Sequence, residues 1–163
     1  MESISIKKEF EGIIEEIGLV GRITVTRGVS VDVLRACGGF DLVAPEITSE
    51  FFPTNGGSKE AQEVFLASLQ HPGHPVMLED IPGMLKAHGM ESDDIHALFA
   101  VRLHRMDVMG RAIAALKSTV TVRGALHFPF MEVVARPVDE RHSLLLYGHR
   151  HVDSRFRLIC RMA

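Results

Sequence analysis

Tryptophan is missing from this 163-residue chain, and tyrosine occurs once, at Tyr147. Nine Phe and eight Met must therefore supply the large core groups. Methionine fills irregular space and tolerates repacking, which favours an adaptable interior. Cysteine is also scarce. Cys37 and Cys160 make neither a disulfide framework nor a zinc site. No apolar run approaches the length of a membrane span, and no charged-then-apolar leader opens the sequence. A reducing, cytoplasmic setting without a membrane partner is the expectation. Catalytic signatures are missing too: there is no glycine-rich phosphate loop with its lysine and no GxSxG elbow. Asn55-Gly56-Gly57 reads as a turn. Nothing specifies a cofactor.

Hydrophobic residues make up 46% of the chain, enough for the core of one domain over residues 1–163. The net charge of −3 conceals an asymmetry. Residues 1–100 hold 7 Lys and Arg against 16 Asp and Glu, a net of −9. Residues 101–163 hold 11 against 5, a net of +6, and ten of those eleven cations are Arg, with Lys117 the exception. Arginine presents a planar fork suited to carboxylates and phosphates. Either the two halves pack together and cancel, or part of the Arg set is free for an anionic partner. Nucleic acid is disfavoured, because its binders usually carry a clear basic excess.

Hydrophobic spacing divides the chain in two. Ile6, Phe10, Ile13, Ile14 and Ile17 predict an amphipathic helix over 4–17 that stops at Gly18. Arg22 to Arg27 is a short β-rich run ended by Gly28. Residues 29–37 fit a strand or a helix capped by Ser30, and the helix is preferred. Pro45 to Phe52 fits one or two helical turns. Ser58 caps an expected helix to Gln70, and Asp80 caps a short one that stops near Gly89. Ser92 caps the longest expected helix, 92–117, whose stripe runs from Ile95 through Leu98, Phe99, Met106 and Met109 to Leu116. Beyond it the period becomes two, and strands are expected at 119–127, 130–136, 143–150 and 154–162. The predicted fold is α+β: a mainly antiparallel C-terminal sheet packed against a long central helix, with additional N-terminal helices.

The last forty residues carry the sharpest pattern. From Leu144 the even positions are mostly apolar, including Leu146, Val152, Phe156, Leu158 and Cys160. The odd positions include Tyr147, His149, His151, Asp153, Arg155, Arg157 and Arg161. Side chains alternate across a strand, so one face should be buried and the other cationic. His127 and Arg123 share a strand phase and are expected to join that face. Convergent Arg groups hold phosphate or carboxylate through charge and bidentate geometry together. A histidine among them can act as acid or base near neutral pH. The competing reading places the acidic first helix, through Glu9, Glu15 or Glu16, across the same face.

Arg102 breaks the apolar stripe of the long helix. It is a structural ion-pair partner, for instance of Glu132, or a long stem that carries its charge out to solvent, or the base of an anion pocket. His96, His104, Asp107 and Arg111 share the opposite, solvated face of that helix. His149-x-His151 places two imidazoles at the i, i+2 spacing of a strand, a weak metal signal to which Asp153, His71 and His74 could contribute. The leading expectation is recognition of a small anionic ligand by Arg102, Arg123, His127, Tyr147, His149, Arg155 and Arg157, with turnover left open. The alternatives are a regulatory or assembly protein that forms homo-oligomers, and a metal-dependent enzyme using His149 and His151.

Overall fold

The computed structural model describes residues 14–54, 57, 59–70, 76–104 and 112–163. Strands dominate it. They are β1 (Ile14–Thr26), β2 (Leu42–Val43), β3 (Lys59–Leu69), β4 (Val76–Met77), β5 (Met90–Ser92), β6 (Ala112–Ala114), β7 (Val120–Val122), β8 (Ala125–Ala135), β9 (Glu140–Tyr147), β10 (His151–Val152) and β11 (Phe156–Met162). Three short helices interrupt them: α1 (Val31–Cys37), α2 (Ile81–Lys86) and α3 (Ile95–Leu103). One large sheet runs in the order β1-β3-β11-β6-β8-β9-β2, with β5 also on β11 and β7 also on β8. It is mixed, since β6 joins β11 and β2 joins β9 in parallel. β10 leaves this sheet and pairs with β4.

The expected α+β arrangement, with a long central helix and N-terminal helices, is overturned in three places. First, of the predicted helix 92–117 only nine residues, Ile95–Leu103, are helical among the described ones. Ala112–Ala114 is instead a strand held between β11 and β8. Ile95 through Val101, His96 included, are all buried, so α3 is buried around its circumference rather than striped. Its cap is Asp94, whose side chain accepts from the Ala97 amide, not Ser92. Second, the predicted helix 58–70 is β3. Its Lys, Glu, Ala and Gln favour helix locally. Pairing with β1 on one side and β11 on the other overrides that preference. Third, Ile14–Ile17 opens β1, which passes straight through the expected stop at Gly18. The rest of the predicted first helix lies outside the described residues.

Other expectations fit the structure. Ser30 caps α1 and accepts from the Val33 amide at 3.3 Å. The run ending at Arg27 belongs to β1 up to Thr26. Asp80 occupies the N-cap position of α2, although its side chain makes no capping bond. The C-terminal strands form with shifted boundaries, and 45–52 forms turns rather than a helix.

Both faces of the sheet are buried. On one, α1 and α3 cover Val25, Val64, Ile113, Met131, Leu144 and Ile159. On the other, α2 covers Leu69, Ala114, Leu158 and Cys160, beside an aromatic group of Phe128, Phe130, Tyr147 and Phe156. The continuous even-odd phase expected from Leu144 to Met162 is therefore broken. Leu144 and Leu146 face the α3 side, whereas Phe156, Leu158 and Cys160 face the other. The excursion through β10 and a turn at 153–156 resets the alternation.

β7 and β8 meet in a two-residue hairpin, because Val122 pairs with Ala125. Both loop residues have positive φ, 51° at Arg123 and 79° at Gly124. Such a turn matches the twist of the strands but favours Asn-Gly over arginine at the first position, because Asn adopts positive φ more readily. Arg123→Asn is expected to raise stability by about 0.5–1 kcal/mol, read as a higher urea midpoint with an unchanged slope.

Candidate functional site

The sequence-predicted residues do not form one constellation. Tyr147, His149 and Arg155 come together. The Arg155 guanidinium lies 4.9 Å from the Tyr147 ring centre and 4.6 Å from that of Phe156. The His149 ring centre is 4.7 Å from Tyr147. Asp153 Oδ1 accepts from the Arg155 amide at 2.9 Å and shapes the turn that presents it. His127 is paired one step from the Phe128–Tyr147 pair, so it projects to the opposite face. There its Nδ1 donates to the Ala125 carbonyl at 2.8 Å, and its ring packs on Gly148, where a Cβ would meet Nε2 at 2.5 Å. Arg123 stands exposed at the hairpin tip. Arg157 also projects to the α3 side, because it neighbours Phe156 on β11.

Arg102 is engaged within the chain. Its Nε donates to the Gly38 carbonyl at 2.8 Å and one terminal nitrogen to Gly39 at 3.0 Å, closing the end of α1. The other donates at 2.9 Å to His142 Nδ1, which must be the acceptor because guanidinium only donates. His149 and His151 have ring centres 6.2 Å apart. Among the described residues no three His, Cys, Asp or Glu groups converge as a metal site would require. His149 lies between strands, so the i, i+2 argument does not govern it, and His71 and His74 lie outside the described residues.

The charged halves do not cancel by broad pairing. Among the described residues a single ion pair joins them, Arg161 to Glu91 at 2.8 Å. That hydrogen bond holds the Glu91 carboxyl below its usual range. The strongest polar cluster is one the pattern did not reveal. Just past β1, Arg27 donates to Asp93 Oδ1 at 2.7 Å, to Asp94 Oδ2 at 3.0 Å and to Gln62 Oε1 at 2.7 Å. Gln62 donates in turn to Asp93 Oδ2 at 2.6 Å. Asp93 is 1% exposed. Asp93 and Asp94 fall at the start of the segment expected to be helical, but their distant partners carry no local signal.

A further opening lies elsewhere, on the α2 side of the sheet. It is a cleft of about 650 Å³ floored by Leu78, Pro82, Met90, Leu116 and Leu126. Lys86, Lys117 and Arg150 stand around it, with Ser92 and Thr119 supplying hydroxyls. Among the described residues none of these three cations has an ion-pair partner within 4.0 Å. Of its acids, Glu91 is held by Arg161 and Glu79 is exposed. Sequence reasoning missed this site, since its residues come from five separated segments.

No protein family, curated protein or solved structure matches this chain.

Two outcomes follow from the polar interior. Arg27→Met leaves the Asp93 carboxylate buried without its cation and is expected to cost about 3–5 kcal/mol of stability, measured by urea unfolding. Burial, and secondarily the charge of Asp93, pushes the Cys160 thiol up to about 12. The unfolded thiol ionises near pH ~8.5. Its contribution to stability is therefore intact below that pH and fades as pH rises toward the folded value. Iodoacetamide at mildly alkaline pH should label the exposed Cys37 and spare Cys160 until the chain unfolds, as peptide mass spectrometry will show.

Proposed function

We propose that the protein binds a small amphipathic anion, a carboxylate or phosphate on an apolar body, in the cleft between α2, β5 and the β7–β8 hairpin. The observation that carries this reading is the pairing of an apolar floor with three cations that lack ion-pair partners among the described residues. A volume of about 650 Å³ suits a small organic ligand. The body of the ligand would cover Leu116 and Leu126, and its charged end would reach Lys117 or Arg150. The class of ligand is the one expected from the arginine-rich composition, but the seat is not the Arg/His row.

Octanoate, octyl phosphate and octanol at matched ionic strength test the reading by thermal shift. Ligand at about 100 times its dissociation constant stabilises the folded state by about 2.7 kcal/mol. The two anions are expected to raise the melting temperature where octanol does not, and Lys117→Glu with Arg150→Glu should abolish the rise. An equal response to octanol, or an unchanged response in the double variant, would overturn the proposal.

A further inference from the structure

We infer that the opposite face of the sheet carries a separate seat for a small zwitterion, an amino acid or related amino carboxylate, built on Arg157, Ser68 and Glu16. This seat does not depend on the cleft. Three strands place the residues in one row. Glu16 on β1 pairs with Ser68 on β3, and Ser68 pairs with Arg157 on β11. Directly opposed residues point to the same side of a sheet, so a carboxylate, a hydroxyl and a guanidinium stand side by side. Adjacent strands are about 4.8 Å apart, which separates the two charged backbones by roughly 10 Å.

The row borders a depression of about 350 Å³ with Leu66 at its floor and Gly18 and Val20 along one wall. A Cβ built on Gly18 meets nothing within 4 Å, so that wall is open space. Arg157 Nε is buried and has no hydrogen-bond partner among the described residues. A buried donor without an acceptor is unusual in a folded protein, and a guanidinium fork is matched best by a carboxylate. Glu16 does not supply it, since no ion pair within 4.0 Å joins the two.

The acidic end of the row decides the ligand class. A plain anion would meet Arg157 favourably and Glu16 unfavourably. A ligand with both signs satisfies both ends: its carboxylate accepts from Arg157 and Ser68, and its ammonium faces Glu16. The fold places the charges, and the open wall at Gly18 leaves room for a ligand side chain.

The test is calorimetric titration of the intact protein with a panel of amino acids, each beside its des-amino carboxylate, with inorganic phosphate as the plain anion. The expected result is heat from one or more amino acids and at least tenfold weaker binding of the matching des-amino acid. Glu16→Gln should reverse that preference, because it removes the partner of the ammonium and the repulsion of the plain anion together. Arg157→Lys should weaken binding by losing the fork, and Gly18→Leu should block it by filling the open wall. The Lys117→Glu, Arg150→Glu variant should bind as the parent does, which separates this seat from the cleft. Phosphate or des-amino acids binding as well as amino acids would overturn the zwitterion assignment. No binding by any of the panel would overturn the site.

Discussion

The buried carboxylate of Asp93 is the constraint on which the rest of this fold depends. Removing a carboxylate from water is strongly unfavourable unless charge and hydrogen bonds replace the lost hydration. Here Arg27 supplies the charge, and the Gln62 side chain and the Asp94 amide supply further donors. The Asp93 backbone is used as well: its amide donates to Ile159, and its carbonyl accepts from Lys117. One residue thus joins the end of β1, the centre of β3, β11, the start of α3 and the turn leading into β7. These elements are far apart in sequence. The network forms only when they are all in place, so it specifies one arrangement of strands and not merely a compact one. Arg27 responds in kind, its proton held more tightly by the neighbouring aspartates despite the opposing effect of burial.

The same geometry explains which parts of the fold were legible in the sequence. A strand with one wet face alternates, and the C-terminal strands were found through that alternation. α1 was found through its capping serine. β3 was not found, because from Val64 to Leu69 its side chains are buried or half-buried on both faces and the alternation vanishes. What remained was a composition rich in helix formers. α3 failed in the opposite sense. A helix buried all round carries no wet face to mark its end, so an apolar pattern was extended through segments that belong elsewhere. Ala112–Ala114 shows this most directly, since its two alanines favour helix locally and the segment takes its conformation from the strands on either side.

The candidate residues were legible in kind but not in arrangement. The expectation that arginines of the last third would meet anions rested on one uninterrupted strand phase. Once β10 departs and returns, Arg155 projects toward the aromatic group and Arg157 toward the α3 side. Arg102 was recognised as a misfit, and its surroundings account for it. The carbonyls that end α1 lie beside the last turn of α3, and the Arg102 guanidinium reaches them from there while lying 5.5 Å from the Phe40 ring centre. Arg27 had no such signature, because an arginine following a strand and preceding glycine is ordinary in a turn.

A sheet buried on both faces also governs where ligands can be held. Its middle is filled by the two cores, so open space survives only where a covering element stops short. The cleft opens between α2 and the β7–β8 hairpin, and the Arg157 depression opens on the other face along the bulged part of β1. The two openings differ as their surroundings do. One is lined by apolar residues from loops and short strands, with lysines on flexible stems that suit ligands of varied length. The other is set by cross-strand register, which fixes the order of its charges as rigidly as the strands themselves. Register rather than composition therefore decides selectivity at the second opening: a slip of one residue along β1 would turn Glu16 to the far face and leave Arg157 facing Ser68 alone. Two register irregularities flank that pairing, one between Ile14 and Glu16 and one between Leu19 and Gly21, so the face that Glu16 occupies is set by the bulge beside it.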